Sequence, residues 1–306
     1  MKDAGLSVDL VGLELTNPTM LASGILGYSV ETLKSVVEAG AGAVVTKSVS
    51  AKPREGYANP TVVQANCGLI NAVGLPNPGI QEFAKEIGSA KNAMDVPLVV
   101  SVFGFSTEEY ASVARKAVRA GADGVELNVS CPHVKNTGSE IGQNPKILTQ
   151  VIRKVKASVD TPVLVKLSPN VTSMSDIADA AVHAGADALT IMNTVKAIAI
   201  DVETTMPILA NKVGGLSGVA VKPIALRHVY DVYEQVKVPI VGCGGIADWR
   251  DAVEFLLAGA SAVQIGTAIA AEGLKVFKEV TSGIGAYLKK KGLRSVSEVV
   301  GLSHRR

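Results

Sequence analysis

A short motif recurs four times in the sequence and constrains the fold more than any other feature. Each copy reads Ala-Gly-Ala, follows a helical pattern and precedes an apolar, strand-like segment; the copies begin at Ala39, Ala120, Ala184 and Ala258. Glycine adopts the left-handed conformation that ends a helix at little cost, and small alanines let a helix pack closely on a strand. The motif therefore predicts four helix-to-strand joints in a repeating β/α architecture.

Further strand and helix patterns fill the gaps between these joints. Segments 97–102, 162–167 and 239–243 each begin at a proline and continue as apolar runs, as expected for strands buried on both faces of a parallel sheet. A first strand is predicted at 19–23, and helices at 107–120, 145–158, 173–184, 221–236 and 248–258. The predicted strands end near Ser23, Lys47, Val102, Val129, Leu167, Met192, Cys243 and Ile265.

Eight alternating β/α units in 306 residues have the size and rhythm of a (β/α)8 TIM barrel. We predict one barrel domain over residues 1–306, with a doubly wound sheet as the structural alternative. Three connections are long, at 48–80, 130–144 and 193–220. We expect them to lack regular structure and to form active-site loops, because long irregular loops often carry function.

Composition excludes several other functions. A net charge of +2 argues against a general nucleic-acid surface. Three widely spaced cysteines (Cys67, Cys131 and Cys243) indicate neither a disulfide framework nor a zinc site, and three thiols cannot supply the usual four ligands of an iron–sulfur cluster. The sequence has no apolar run of roughly 18 residues, so we expect a soluble, cytoplasmic protein without a membrane span.

The segment 124–133 carries the most reactive side chain. It begins as a strand and ends at Cys131, directly before Pro132, which removes a backbone donor and stops the ladder. Ligands of parallel α/β proteins bind where strands give way to loops. A thiol there can act as a base or a nucleophile; the alternative is a buried small hydrophobe, which is how we interpret Cys243. His133 either activates Cys131 or caps the loop.

Two lysines lie at predicted strand ends. Lys166 lies inside an apolar strand and Lys47 at the end of another, where an unpaired ammonium is costly to bury. Each needs a partner or a role: a structural ion pair, neutralisation of an electron-rich cofactor, or a Schiff base.

Glycine-rich turns follow the last two predicted strands, at 242–247 and 266–267. Barrels commonly bind phosphate at this position through backbone N–H groups; the alternative is that these glycines only form tight turns. The first turn also matches G-x-G-x-x-A, but the acidic residue that a nicotinamide site would need after the next strand is absent. We therefore predict a phosphate site and reject nicotinamide binding at this motif.

Together these motifs make the chain resemble the class 1 dihydroorotate dehydrogenases, most closely the catalytic subunit of the NAD-linked class 1B type. The resemblance extends over essentially the whole chain. It is carried by segments 22–24 (Ala-Ser-Gly), 46–48 (Thr-Lys-Ser), 71–75 (Asn-Ala-Val-Gly-Leu), 128–132 (Asn-Val-Ser-Cys-Pro), 165–170 (Val-Lys-Leu-Ser-Pro-Asn), 193–194 (Asn-Thr), 214–218 (Gly-Gly-Leu-Ser-Gly) and 266–267 (Gly-Thr).

The resemblance implies an FMN-dependent barrel that oxidises dihydroorotate to orotate in pyrimidine biosynthesis. Cys131 matches the family's catalytic base, and Lys166 the lysine beside the electron-rich end of the flavin. The substrate contacts implied are Lys47, Asn71, Ala72, Val73, Gly74, Leu75, Asn128, Asn193 and Thr194. The flavin contacts implied are Ser23, Lys47, Ser48, Asn128, Lys166, Met192, Gly218, Gly244, Gly245, Gly266 and Thr267. His133 and Ser101 stand where relatives often have asparagine, and we assign them no contact.

The resemblance also implies partners. Reduced FMN must pass on its electrons, so the class 1B assignment implies a second subunit that carries FAD and a 2Fe–2S cluster and delivers electrons to NAD. Relatives suggest a homodimer within a heterotetramer. Fumarate as direct acceptor, as in class 1A, is the close alternative. Two further hypotheses come from other classes: a Schiff-base lyase that uses Lys166 or Lys47, and a barrel that binds a phosphorylated ligand without turnover.

Overall fold

The computed structural model describes residues 5–129 and 138–305. Its strands are β1 (Val8–Leu10), β2 (Leu13–Leu15), β3 (Thr19–Leu21), β4 (Ala43–Val45), β5 (Val62–Ala65), β6 (Gly68–Asn71), β7 (Leu98–Val102), β8 (Gly124–Asn128), β9 (Val163–Lys166), β10 (Ala188–Ile191), β11 (Val195–Ile198), β12 (Ile200–Asp201), β13 (Met206–Pro207), β14 (Val213–Ser217), β15 (Ile240–Cys243) and β16 (Ala260–Ile265). Its α-helices are α1 (Val30–Glu38), α2 (Ile80–Ala93), α3 (Thr107–Arg119), α4 (Gly138–Gln143), α5 (Pro145–Lys156), α6 (Met174–His183), α7 (Lys222–Tyr233), α8 (Trp249–Leu257), α9 (Ala268–Glu272) and α10 (Lys275–Lys291).

Eight of these strands form a closed parallel barrel in the order β3-β4-β7-β8-β9-β10-β15-β16. Every predicted strand end lies within two residues of an observed one, and the five predicted helices match observed helices within three residues at each end. The prediction of a (β/α)8 barrel is confirmed, and the doubly wound alternative is wrong because β16 pairs with β3 and closes the sheet.

The repeated Ala-Gly-Ala motif forms the joints that the sequence predicts. In each copy the first alanine ends a helix and the glycine that follows has a positive φ: 104° at Gly40, 113° at Gly121, 102° at Gly185 and 115° at Gly259. Only glycine adopts this conformation without strain. The chain therefore reverses within two residues and enters the next barrel strand.

The two ends of the barrel differ. At the end where the strands begin, the β1–β2 hairpin packs Leu10, Leu13 and Leu15 against the apolar residues inside the barrel. This hairpin fills that end with side chains. Ligands can therefore reach the barrel interior from the opposite end, where the strands finish.

The long connections contain regular structure, so the expectation that they lack it is wrong. Strands β5 and β6 lie within 48–80, β11 and β14 within 193–220, and all four pair in an antiparallel sheet in the order β11-β14-β6-β5. Helix α4 begins within 130–144. The sheet is tightly built: a Cβ on Gly215 of β14 would lie 2.0 Å from the Thr194 hydroxyl. It stands beside the open end of the barrel and extends its wall.

Candidate active site

A cavity of about 730 Å³ opens at the end of the barrel where the strands finish. Its lining comes from the last residues of the barrel strands on one side and from β5, β6 and β14 on the other. The active sites of TIM barrels lie at the carboxyl ends of the barrel strands. The cavity is therefore the candidate active site.

A second depression, of about 790 Å³, lies at the opposite end of the barrel. Both of its lysines pair with aspartates: Lys91 contacts Asp123 at 2.6 Å, and Lys156 contacts Asp187 at 2.7 Å. Because both lysines are already paired, we interpret the depression as a solvated groove at the base of the barrel.

The cavity brings together nearly all the residues that the sequence singles out. Its lining includes Ser23, Lys47, Ser48, Asn71, Val73, Gly74, Leu75, Asn128, Lys166, Met192, Asn193, Thr194, Gly218, Gly244, Gly245, Gly266 and Thr267. Ala72 is not among the lining residues; it is fully buried and packs with Ile70 and Leu209 behind the four-stranded sheet. Cys131 and His133 lie outside the described residues. Which of the lining residues touch a substrate and which a cofactor stays a prediction.

A chain of hydrogen bonds fixes the amide of Asn128 at the end of β8. Its Nδ2 donates to the Ser48 hydroxyl at 2.9 Å, and that hydroxyl lies 2.8 Å from the hydroxyl of Ser101, which is fully buried. The Tyr110 hydroxyl donates to the backbone carbonyl of Asn128 at 3.0 Å. Ser101 thus supports the site from behind without lining the cavity, a role that its sequence context does not reveal.

The other predicted amides are held by the four-stranded sheet and its connections. Asn71 Nδ2 donates to the Gly215 carbonyl at 3.2 Å, which ties β6 to β14. Asn170 donates to the Thr194 carbonyl at 3.0 Å and accepts from the Lys196 N–H at 2.9 Å. Asn170 therefore fixes the segment that carries Asn193 and Thr194 to the end of β9.

Lys47 presents a buried ammonium to the cavity. Its side chain is in contact with Tyr28: Nζ donates to the tyrosine hydroxyl and lies 4.3 Å from the ring centroid. Burial lowers the pKa of Lys47 from 10.5 to about 8. The aromatic face partly compensates the charge. An ammonium in this environment favours the binding of an anionic ligand.

Lys166 belongs to a polar cluster inside the barrel. Its Nζ donates to Gln264 Oε1 at 2.7 Å and lies 3.9 Å from Glu126 Oε1. Burial lowers the pKa of Lys166, whereas negative charge on Cys243 (as thiolate) and on Glu126 raises it, and the balance lies above the usual value. A lysine that stays protonated is a poor nucleophile, so this environment does not favour a Schiff base at Lys166.

Cys243 corrects one interpretation drawn from the sequence. The sequence predicts a core residue, yet Cys243 lines the cavity, where Lys166 is its neighbour. Burial raises the pKa of its thiol, so we treat it as neutral at physiological pH. Glu126 and Gln264 were missed altogether, although each is a polar residue that interrupts an apolar strand, which is a detectable signal.

A glycine-lined wall forms one side of the cavity. Gly244 and Gly245 have φ values of 132° and 78°. A Cβ on Gly245 would lie 2.8 Å from the Lys222 nitrogen and 2.9 Å from the Gly218 carbonyl oxygen. At Gly245 backbone atoms exclude a side chain, and at Gly244 the Ala225 methyl group does, 2.9 Å from where a Cβ would lie. The wall therefore offers backbone groups to a ligand, as a phosphate site requires.

Within the described residues, no cluster of three or more His, Cys, Asp or Glu side chains is arranged to hold a metal ion. Among the same residues, no helix is both long and apolar enough to span a membrane.

The fold and the cavity define a barrel protein with a polar, lysine-containing ligand site at the mouth. The family model described as dihydroorotate dehydrogenase matches residues 5–288. The chain belongs to the dihydroorotate dehydrogenase family.

Curated relatives are similar over their full length. The "Dihydroorotate dehydrogenase B (NAD(+)), catalytic subunit" of Pyrococcus furiosus is 50% identical, over 98% of this chain and 99% of the relative. Proteins of the same name from Thermococcus kodakarensis and Methanocaldococcus jannaschii are 52% and 47% identical; each alignment covers 99% of this chain, and 99% and 100% of the respective relative.

Proposed function

We propose that this chain is the catalytic subunit of an NAD-linked dihydroorotate dehydrogenase, which oxidises (S)-dihydroorotate to orotate in pyrimidine biosynthesis. The observation that carries the proposal is the full-length identity of about 50% to relatives with that name. The cavity at the barrel mouth supports it, because three asparagine amides and a lysine gather there. Amides suit the edge of a pyrimidine, and an ammonium suits its carboxylate.

The residues fit FMN as the resident cofactor. Gly218, Gly244 and Gly245 cannot carry side chains, because a Cβ on each would lie within 3 Å of a neighbouring atom, so this wall presents backbone groups, which suit a phosphate. Lys166 stands charged in the same cavity, where a positive charge favours the electron-rich reduced flavin. Bound FMN would supply the hydride acceptor. Ser23, Ser48, Met192, Gly266 and Thr267 complete the proposed contacts.

The protein's own side chains would bind and orient the substrate. Lys47 would pair with the carboxylate of dihydroorotate, and its contact with Tyr28 limits where the ammonium can lie. Asn71, Asn128 and Asn193 would hold the ring, each through an amide that can both donate and accept. Asn128 is the most firmly fixed of these, through Ser48 and Ser101.

Cys131 is proposed as the base that removes the C5 proton. It follows Asn128 by three residues, so it lies close along the chain to an amide of the cavity wall. Because a thiolate is needed for proton abstraction, Cys131→Ala should leave binding intact and remove turnover.

Electrons must leave this chain for NAD through a partner. We propose a second subunit that carries FAD and a 2Fe–2S cluster, in line with the words "catalytic subunit" in the names of the relatives. Fumarate as direct acceptor remains the alternative. The cytoplasmic location expected from the sequence is part of the same proposal.

A homodimer within a heterotetramer completes the proposed assembly. An apolar patch supports it: Ile198, Ile200, Val202, Met206 and Val213 lie on adjacent strands or their turn, and all are exposed, Val202 by 80%. Exposed aliphatic clusters of this kind mark protein–protein contacts. Sedimentation should therefore give a dimer, which Ile200→Asp would dissociate.

One observation favours the lyase as a second candidate. The lowered pKa of Lys47, about 8, is the property that a Schiff-base lysine needs. The lyase predicts a colourless protein in which borohydride traps substrate on Lys47. The dehydrogenase predicts no such adduct.

The visible spectrum of the purified protein, before and after anaerobic dihydroorotate, tests the proposed function. We expect a flavin spectrum that bleaches, and a Cys131→Ala variant that is yellow but does not bleach. A yellow protein that fails to bleach would exclude dihydroorotate as substrate. A protein that neither contains nor accepts FMN would overturn the proposal. Adding NAD with the partner, or fumarate without it, then identifies the acceptor.

A further inference from the structure

A buried carboxylate lies beside Lys166 inside the barrel, and nothing in the proposed reaction yet uses it. Glu126 belongs to β8 and is fully buried. Its Oε2 accepts hydrogen bonds from the Thr190 hydroxyl at 3.0 Å and from Gln264 Nε2 at 2.7 Å. Its Oε1 has no hydrogen-bond partner among the described residues and lies 3.9 Å from Lys166 Nζ. A buried carboxylate oxygen is costly to leave unpaired, so a cation is needed nearby.

Gln264 connects the carboxylate to the ammonium. Its Nε2 donates to Glu126 Oε2, and its Oε1 accepts from Lys166 Nζ at 2.7 Å. A carboxylate only accepts hydrogen bonds and an ammonium only donates them. These two neighbours therefore fix the amide in one orientation. Reversing it would place N–H against ammonium and oxygen against carboxylate, and both hydrogen bonds would be lost.

Glu126 is the anion of this cluster. Lys166 is only 4% exposed, and burial opposes its charge. Cys243 and Glu126 are the two neighbours whose negative charge raises the pKa of Lys166. Burial raises the pKa of the Cys243 thiol, which leaves the carboxylate of Glu126, 3.9 Å from Nζ, as the charge that opposes desolvation of the ammonium near neutral pH. Lys166 and Gln264 both line the cavity, whereas Glu126 lies behind them.

We propose that Glu126 is a positioning residue for the flavin half-reaction, which keeps Lys166 protonated and, through Gln264, directed into the cavity. The inference rests on the proposed function, because it takes FMN as the group that Lys166 faces. Its consequence is that the cofactor meets a constant positive charge over the whole physiological pH range. Without Glu126, the ammonium would lose its proton as pH rises, and the reduced flavin would lose its stabilising partner.

Glu126→Gln is the direct test, because it removes the charge and keeps the shape. Thr190→Val is the matched control: it removes one hydrogen bond to the same carboxylate and leaves both charges in place. Lys166→Met removes the ammonium. Combining it with Glu126→Gln shows whether Glu126 acts through Lys166.

The first measurement needs no cofactor. The side-chain carbon next to Nζ of Lys166 can be followed by NMR from pH 6 to 10 in ligand-free protein, with the signal assigned by its absence in Lys166→Met. We expect no titration below pH 9 in the wild-type protein or in Thr190→Val, and a titration within this range in Glu126→Gln. A wild-type Lys166 that titrates below pH 9, or an unchanged curve in Glu126→Gln, would overturn the inference. The wild-type curve remains a test if Glu126→Gln does not fold.

The second measurement is the midpoint potential of bound FMN as a function of pH. In Glu126→Gln the preference for reduced over oxidised FMN should fall by about tenfold once Lys166 deprotonates, which is about 30 mV for a two-electron couple. The wild-type protein and Thr190→Val should show no such fall over the same pH range. In the Lys166→Met background, Glu126→Gln should cause no further change in the midpoint potential of FMN.

The two proposals fail in different ways. The midpoint potential of FMN could shift as much in Thr190→Val as in Glu126→Gln, or Glu126→Gln could keep its full effect on that potential in the Lys166→Met background. Either result would mean that Glu126 acts only through packing. It would overturn the inference and leave the proposed FMN chemistry in place. Absence of FMN binding in the wild-type protein would instead overturn the proposed function. The NMR titration would then still decide whether Glu126 keeps Lys166 protonated.

Discussion

The ammonium of Lys47 lies 4.3 Å from the centre of the Tyr28 ring, at the edge of the cavity. The same ammonium donates to the Tyr28 hydroxyl, and no carboxylate is paired with it in the described part of the chain. The protein thus buries a cation against an aromatic ring, where the charge is only partly compensated. Such a site favours an anionic ligand and makes ligand binding and stability depend on pH.

Affinity for orotate should fall as pH rises through about 8. The pKa of Lys47 is lowered by burial to about 8, so above this pH the free protein loses the charge that the substrate carboxylate needs. We expect the Kd to rise by up to about tenfold per pH unit above that point. Flavin absorbance titrations between pH 6.5 and 9.5 measure it.

Lys47→Arg is the control for this dependence, because a guanidinium stays charged throughout the range. Its affinity for orotate should be lower than that of the wild type at pH 7. Its Kd should not show the rise that begins near pH 8 in the wild type. Identical pH profiles in the wild-type protein and Lys47→Arg would show that another group causes the dependence.

The charged Lys47 should also lower the stability of the ligand-free protein. The pKa of Lys47 in the folded state, about 8, is lower than in the unfolded state. Below pH 8 the buried charge therefore destabilises the folded state. We expect Lys47→Met to raise the free energy of unfolding by about 2–3 kcal/mol at pH 7. As pH rises from about 8 to about 10.5 the unfolded state binds more protons, so the wild type gains stability and the difference shrinks.

Urea unfolding at pH 7 and pH 10 measures this difference. Lys85→Met provides the control, since Lys85 is exposed and pairs only with the exposed Glu82 among the charged groups described. That change should stay within about 0.5 kcal/mol at both pH values. A Lys47→Met protein that is less stable than the wild type at pH 7 would contradict the prediction.

The hydroxyl of Ser101 should matter although it does not reach the cavity. Ser101→Ala leaves the Ser48 hydroxyl without its 2.8 Å partner and loosens the amide of Asn128. We expect a loss of about 1–2 kcal/mol in unfolding free energy, together with weaker orotate binding. Ser158→Ala removes a hydroxyl at the end of α5 and should change neither binding nor, beyond about 0.5 kcal/mol, stability. Unchanged orotate affinity in Ser101→Ala would exclude the supporting role.

The contrast between Lys166 and Ser101 explains what the sequence could reveal. A lysine inside an apolar strand is anomalous on its own, so the sequence alone marks it as a residue that needs a partner or a role. A serine in such a strand is unremarkable, and its importance comes from Ser48, a partner 53 residues away. Glu126 and Gln264 are separated by 138 residues. A single sequence shows which positions are polar but not which of them meet across the barrel.

The same distinction applies to the fold. The barrel strands were predicted because prolines and Ala-Gly-Ala joints mark where they begin, and these signals are local. The four-stranded sheet escaped prediction because β14, one of its two inner strands, contains Gly214 and Gly215, which have low strand propensity. Its pairing with β6 joins residues 144 apart, as at Asn71 and Gly215. Tertiary packing, not local propensity, makes this segment a strand.

Gly245 should tolerate no side chain, in contrast to Gly273. Both have a positive φ, 78° and 67° respectively, so alanine is strained at either position; at Gly273, where ψ is −169°, the strain is about 1–3 kcal/mol. A Cβ on Gly273 would meet nothing within 4 Å, whereas one on Gly245 would lie 2.8 Å from the Lys222 nitrogen and 2.9 Å from the Gly218 carbonyl. Gly273→Ala therefore introduces conformational strain without a clash, whereas Gly245→Ala introduces both.

We expect Gly273→Ala to retain its FMN, and Gly245→Ala to lose it because the wall must shift away from Lys222. The FMN content per chain, with circular dichroism to establish folding, provides the measurement. Equal FMN content in folded Gly245→Ala and Gly273→Ala would show that this wall does not hold the cofactor. Loss in Gly245→Ala alone would locate the phosphate-binding wall at the end of β15, because only that variant places its methyl group against the wall.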